Sequence, residues 1–521
     1  MSMGANKWYV VKGNVTIDNS LIINGTAHLI LCDGATLKEN KYVDMHDHKV
    51  LHIYGQSNDA GRLRVEDGPI TCTLDCKLFI HGGDIYANAD NHVTKAGIGG
   101  VHNNFQSRFE LYVYGGKVEA HGGTAGIGGG YGNNGGTVTI YGGSVWAYGR
   151  LRSAGIGGGH TTEQDEWNDN ERGSGGTLTV WGGYVYAQGG KYAAGIGGGY
   201  NRYNGTLRTA NGGTVVVHGG EVVAKGGAYG AGIGGGQDGS GANVTINGGK
   251  VWAYGGTDAA GIGTGERCSA PSDRIDGGSL TVNGGYVFAD GTDWGAGIGG
   301  GEDAKGAAVE INGGTVIAWA GEDAGEKNGS AIGSEDGDGR RGSLKIGDSI
   351  MVHAGQTPTD AQSHLFTHGE RVPACWFRPF TKIEPCTHAN ASFTIDGTTA
   401  EGTHTRRCPN CLNRESSSTP SGPTTNVWSA APEPKHMSSK SICRRLWTVP
   451  TLTATMPLHK SLSWSLALPS SCPHLPSPIC RMAWSLPDGT REHPRSCPKR
   501  PTGKATSRYT LPRRCAPSRP T

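Results

Sequence analysis

Along most of the chain, apolar and polar residues alternate with a period of two, in short runs that break at glycine. In VTIYGGSVWAYG, starting at Val138, Val138 and Ile140 share one face of a run; beyond Gly142-Gly143, Val145 and Ala147 share one face of the next. This pattern predicts two short, half-buried strands around a corner. The phrase returns as LTVWGGYVYAQGG from Leu178, VVVHGGEVVAKGG from Val215, VTINGGKVWAYGG from Val244, LTVNGGYVFADG from Leu280 and VEINGGTVIAWAG from Val309. Between copies stands AGIGGG or a close variant, with Ala and Ile at alternate positions of a third, very short strand. Its isoleucine recurs at Ile98, Ile127, Ile156, Ile196, Ile233, Ile262, Ile298 and Ile332, at intervals of 29, 29, 40, 37, 29, 36 and 34 residues. The base unit is therefore 29 residues, with insertions.

Three strands and three glycine-rich corners per unit predict one coil of a parallel β-helix. A single coil cannot bury its apolar residues alone; stacking coils about 4.8 Å apart pairs every strand with the next and gathers Val, Ile, Leu and Ala into inward columns. The repeated glycines then serve corners that need positive φ or close backbone approach. A phosphate loop would need one glycine-rich turn followed by a helix, and no helical period follows here. VTIDNSLIINGTAHLILCDGATLKE and VLHIYGQ alternate in the same way and read as less regular cap coils at the N-terminus. The predicted fold is all-β: a solenoid over residues 1–355, a linker at 356–385, a small cysteine module at 386–412 and a tail at 413–521.

Composition supports a thin repetitive core. Ninety of 521 residues are glycine, without a collagen period, and only 35% are hydrophobic. The net charge of +2 hides a split: residues 417–521 hold 15 of the 47 Lys and Arg but only 3 of the 45 Asp and Glu. Beyond Asn413 there are 3 of the 90 glycines and 17 of the 24 prolines, and the alternation stops. This tail reads as disordered, and as a frameshifted translation rather than a nucleic-acid-binding segment, the other use of such a charge. No apolar run reaches the roughly 18 residues of a membrane span, and MSMGANKWYV has no apolar core of a signal peptide. Of 13 cysteines only Cys32, Cys72, Cys76 and Cys268 fall in the repeats, which argues against a disulfide-stapled fold.

Three groups of residues carry candidate chemistry. The strand after Gly-Gly points Tyr86, Glu119, Trp146, Tyr186, Val223, Trp252, Phe288 and Ile317 outward; two residues on come His121, Tyr148, Gln188, Lys225, Tyr254, Asp290 and Trp319. Trp146, Tyr148, Tyr186, Trp252 and Tyr254, with Trp167 from an insert, are candidate glycan-stacking residues, although aromatics also favour strands for packing reasons alone. The inserts follow AGIGGG and gather at one edge. The densest, HTTEQDEWNDNERGS from His160, carries Glu163, Asp165, Glu166, Asp169 and Glu171; Asp165, Glu166 and Asp169 are candidate catalytic carboxylates or calcium ligands, and a solvated acidic loop has the same composition. Finally, Cys386-x-His388 and Cys408-x-x-Cys411, nineteen residues apart, have the spacing of two ligand pairs for a tetrahedral structural zinc; unpaired or disulfide-bonded cysteines are the alternative. The column His81, Tyr114, Tyr141, Trp181, His218, Asn247, Asn283 and Asn312, just before Gly-Gly, reads as structural, its asparagines satisfying turn backbone groups. SEDGDGRR, from Ser334, lacks the spacing of a calcium loop.

LILCDGATL, LHIYGQS and the repeated AGIGGG…GGTVTIYGGSVWAYG resemble a group of glycine-rich bacterial surface proteins common in gut Firmicutes, similar to the pectate-lyase-like right-handed β-helix and in part described as carbohydrate-binding. The cysteine segment resembles modules that follow repeat domains in bacterial surface proteins. The resemblance spans roughly residues 8–355. It implies a right-handed coil, a secreted or cell-surface location and a polysaccharide partner. With no GxSxG, HExxH or Walker sequence in the chain, the expectation is a monomer that binds polysaccharide through outward aromatics and an acidic edge. A polysaccharide lyase or glycoside hydrolase on the same scaffold, and an adhesive stalk, are the alternatives.

Overall fold

The computed structural model describes residues 1–101, 109–160, 173–200, 202–203, 206–207, 210–268, 275–321, 330–334, 342–364, 371–373, 379–387, 392–396, 403–408 and 414–418. Met1–Ser421 form one compact unit. Among the described residues the chain is all-β, wound into a parallel β-helix of three long sheets with 12, 13 and 14 strands. The first sheet holds the AGIG strands, the second the strands before each Gly-Gly corner, and the third the strands after it. Ile127–Gly128, Thr137–Ile140 and Ser144–Tyr148 make one coil, and Ile156–Gly157, Thr177–Val180 and Tyr184–Gln188 the next.

Register follows the repeat. Ile127 pairs with Ile156 and that residue with Ile196; Val145 pairs with Val185, and Ala147 with Ala187. Val138, Ile140, Val145, Ala147 and Ile156 are all buried, and inward columns of this kind form one continuous core from Met3 to Ile383. Each fully buried Val or Ile contributes about 1.5–3 kcal/mol. Small Ala at the second inner position of the repeat strands of the third sheet, such as Ala147, Ala187 and Ala224, follows an inward Val in each coil and leaves room for Val and Ile from the other two walls.

The hexapeptide earns its glycines by close stacking. Gly128 has φ of 131°, and a Cβ there would lie 2.2 Å from the carbonyl oxygen of Gly157 in the next coil. Gly197 repeats this with φ of 138° and 2.0 Å to the Gly234 oxygen. A side chain at either position would push adjacent coils apart.

Insertions do not disturb the stack. The 40-residue interval between Ile156 and Ile196 leaves Thr177–Val180 in register with Thr137–Ile140. Cys72 and Cys76 are disulfide-bonded across one corner, a loop too short to staple the fold.

The segment expected to be a linker at 356–385 is instead a cap. Arg371–Pro373 pairs antiparallel with Ser343–Ile346 of the second sheet. Phe380–Pro385 pairs antiparallel with both Thr315–Trp319 and Ile350–Gly355 of the third. Parallel repetition ends where the chain reverses over the last coil, burying Phe380 and Ile383 against it. A three-stranded antiparallel sheet, Ser392–Asp396, Thr403–Arg407 and Arg414–Ser418, follows. Its last strand lies past the expected boundary at 412.

Candidate functional site

The third sheet gathers five of the six sequence-selected aromatics on one outer face. Trp146 pairs with Tyr186, which pairs with Val223, then Trp252 and Phe288; beside it runs the column Tyr148, Gln188, Lys225, Tyr254 and Asp290. Trp167 lies outside the described residues. All five are half-buried: their bodies lie on the strand surface and their outer sides meet solvent. Tyr184 and Tyr286, which the sequence reading did not select, complete the face. Their positions open each third-sheet strand two residues before Tyr186 and Phe288, so the same period-two count identifies them.

These rings are tilted. Trp146 and Tyr184 centroids lie 5.6 Å apart at 48°, Trp252 and Tyr286 5.2 Å at 49°, and Trp252 and Phe288 5.6 Å at 42°. The aromatics fall in two groups, Trp146, Tyr148, Tyr184 and Tyr186, then Trp252, Tyr254, Tyr286 and Phe288. Between them lies the coil of Val223 and Lys225. Lys225 Nζ stands 5.7 Å from the Tyr186 ring and 5.8 Å from the Tyr254 ring, bridging the groups; Lys117 Nζ stands 5.2 Å from the Trp146 ring. Glu119 is held below the usual carboxylate range: burial opposes this, but hydrogen bonds from Lys117 and His121 outweigh it. Asp290, beside Tyr254, is pushed up by burial.

The second sheet carries a different arrangement. Trp8, His28, His52, Phe79 and Tyr112 stack in one column, with centroid spacings of 4.2, 4.8, 4.5 and 4.8 Å and planes within 17° of parallel. Tyr54, His81, Tyr114 and Tyr141 stack alongside at 4.5, 5.1 and 4.8 Å. Burial, with His28 and His81 nearby, pushes His52 down to about 4. Further along, Trp181 stacks on His218 at 3.9 Å and the column becomes an asparagine ladder: Asn283 Nδ2 donates to Asn247 Oδ1 and Asn312 Nδ2 to Asn283 Oδ1. The amides therefore bond to one another rather than to turn backbone as expected, because in-register stacking places identical side chains one strand spacing apart. Rings inside the column, stacked on both faces, offer solvent mainly their edges, while Trp8 and Trp181 are 58% and 51% exposed.

At the corner after AGIGGG, the residue following the hexapeptide forms its own column. Tyr131 meets His160 edge-on at 5.2 Å, and Gln237 Nε2 donates to Glu266 Oε2 at 2.6 Å. Asp258, Glu266 and Glu302 bring carboxylate oxygens within 4.8 Å of one another, a donor set suited to a hard cation. Burial pushes Glu266 up; the Gln237 hydrogen bond works against this and Asp258 and Asp238 add to it. The sequence reading placed the acidic edge at this corner but chose Asp165, Glu166 and Asp169, which lie outside the described residues. The signal for Glu266 and Glu302 was their shared position after AGIGTG and AGIGGG.

Of the four expected zinc ligands, Cys386 and Cys408 are described, buried, with sulfurs 3.5 Å apart. His388, Cys411 and residues 335–341 of the SEDGDGRR segment lie outside the described residues. Among the described residues no helix is long and apolar enough to cross a membrane.

No curated protein and no solved structure matches the chain significantly. A family model described as a beta helix repeat matches residues 111–131, 138–160, 174–200, 215–237, 244–266, 275–302 and 309–338. These seven segments fall on successive coils and carry the aromatic face and the acidic corner alike, so both are built on β-helix repeats.

Proposed function

We propose that the protein binds an extended polysaccharide along the outer face of its third sheet. The observation that carries this reading is the pair of tilted aromatic groups, one around Trp146 and one around Trp252, in a line along the solenoid. Three strand spacings separate these tryptophans, about 14 Å at ~4.8 Å per step. A site of that length suits several linked sugar rings better than one. Tilted rings on a half-buried face leave aromatic surface for the apolar side of a sugar, while the bridging Lys225 and Asp290 supply polar contacts. In the second-sheet column the inner rings His28, His52, Phe79, His81 and Tyr114 stack on both faces, and the column reads as a stabilising ladder.

The test incubates the full chain with plant and host polysaccharides, with and without calcium. It measures retention and the release of new chain ends. Retention without release, lost in Trp146→Ala plus Trp252→Ala, supports binding. Release of ends would replace this reading with a lyase or hydrolase, and neither retention nor release would leave a structural or adhesive stalk.

A further inference from the structure

Building on the third-sheet reading above, we infer that the polysaccharide is branched: its main chain runs along the third sheet, and a sugar of a side branch stacks on Trp181 at the corner between the second and third sheets. Three features of that corner meet here.

The first is a break in the aromatic column. Register carries the column from Tyr141 to Trp181, because Ile140 pairs with Val180 and the Trp181 amide donates to Ile140 O at 2.7 Å. Among the described residues, however, no ring contact joins the two. Trp181 leans on His218 at 3.9 Å, closer than the ~4.8 Å between strands, and Tyr141 stacks on Tyr114 on its other side. Each ring thus has one stacked face, and the two residues are 44% and 51% exposed. An open indole face buries the apolar C–H side of a sugar ring while the sugar hydroxyls stay hydrated or bond to neighbouring polar groups. Thr179, two residues earlier on the same outer face, offers one such hydroxyl.

The second is the surface in between. Only Gly182-Gly183 separates Trp181 from Tyr184, which opens the third-sheet strand. A Cβ at Gly182 would lie 2.9 Å from Tyr141 O, and one at Gly183, where φ is 82°, would lie 2.5 Å from Gly143 O. The corner is therefore bare backbone. Aromatic surface continues round it from Trp181 to Tyr184, whose ring lies 5.6 Å from that of Trp146. A linear chain laid over Trp146 and Trp252 passes beside this corner without crossing it. A sugar linked sideways from that chain crosses the glycines and meets Trp181.

The third is asymmetry. Beside Trp252 the same corner positions hold Asn247 and Asn283, whose amides hydrogen-bond to each other. The site has two unlike ends, and the branch is read only at the Trp146 end.

The experiment uses the full chain and matched linear and branched hexasaccharides: plain and galactosylated mannohexaose, plain and arabinosylated xylohexaose, plain and xylosylated cellohexaose. Affinities are measured by calorimetry for the parent, Trp181→Ala, Trp181→Phe and Trp252→Ala, with circular dichroism confirming each fold. The parent is expected to bind one branched sugar about five-fold more tightly than its linear partner. Trp181→Ala is expected to bind both alike, at the parent's affinity for the linear form, and Trp181→Phe to keep most of the preference. Trp252→Ala is expected to weaken both forms equally. A parent that binds linear and branched forms alike, or a Trp181→Ala loss equal for both, would overturn the branch while leaving the third-sheet site standing. Binding of none of these sugars, or binding that Trp252→Ala leaves unweakened, would overturn the third-sheet reading and the branch with it.

Discussion

Glu39 offers the sharpest test of the physical reading. It ends the strand Thr36–Glu39, in register with Ile17 below and Val65 above, and therefore occupies an inward position of an otherwise apolar column. The residue is 0% exposed. Oε1 accepts a hydrogen bond from the Lys41 amide at 3.1 Å, while Oε2 is buried with no partner. Burial pushes this carboxyl from 4.5 up to about 7, against the Lys41 amide bond and the Met1 amino group; Asp18 adds to the rise and the Lys41 charge lowers it. Between these two values the folded chain holds a proton that the unfolded chain has lost, so stability decreases as pH rises through that window. A difference of about 2.5 units at ~1.4 kcal/mol each gives a penalty of about 3–4 kcal/mol, complete above pH ~7 and absent below pH ~4.5. Glu39→Gln keeps the acceptor and removes the ionisation. In a solenoid the effect is confined to neighbouring coils, so the readout is hydrogen exchange of Asn14–Ile17, Thr36–Glu39 and Arg62–Val65. At pH 8 the variant is expected to exchange about 300-fold more slowly than the parent in these strands, and at pH 4.5 equally fast. Comparison at one pH cancels intrinsic exchange. A gap between variant and parent that is the same at both pH values would refute the reasoning.

Gly197→Ala forces a Cβ into the Gly234 carbonyl at positive φ and is expected to cost at least ~2 kcal/mol in urea unfolding; Gly13→Asn, where φ is 74° and nothing lies within 4 Å, is expected to stay within ~0.5 kcal/mol. His52, folded at about 4 against 6.5 unfolded, contributes stability that is complete above pH ~6.5 and lost as pH falls toward 4. A nuclear magnetic resonance titration showing His52 at its ordinary value would contradict that. For the aromatic face, Trp146→Ala and Trp252→Ala are each expected to weaken retention of a long polysaccharide about five-fold, roughly 1 kcal/mol of stacking, and together far more. On oligosaccharides too short to bridge ~14 Å, each single variant should keep the affinity of its intact group, and only the double variant should lose binding at both.

The coil was readable because its period is written in isoleucine and glycine. Once Ile127, Ile156 and Ile196 are aligned, period-two counting puts Trp146 beside Tyr186 and Tyr148 beside Gln188, as the register has them. Reading failed where the repeat does not speak. The opening coils are shorter and uneven, so nothing in the alternation aligned Trp8 with His28 and His52, or marked Glu39 as inward. Asp258 and Glu302 meet across 44 residues because a corner folds them together, and no local pattern records that. The cap was invisible because antiparallel pairing of Phe380–Pro385 with Ile350–Gly355 depends on where the last coil ends, not on the composition of either strand.

That cap also settles a question of length. A parallel coil is a template for the next, and nothing in an AGIGGG unit limits how many can follow or whose chain supplies them. Arg371–Pro373 ends the second sheet with an antiparallel strand that finishes in proline, which has no amide hydrogen to offer, while in the third sheet Phe380–Pro385 and Ile350–Gly355 hand the edge to the short antiparallel strand Gln362–His364. The repeat supplies a rule for growth, and these reversed strands supply a full stop for two of its three sheets. Without them the exposed edges of Thr315–Trp319 and Ser343–Ile346 would invite another molecule to continue the winding, turning a particle of fixed size into a fibre.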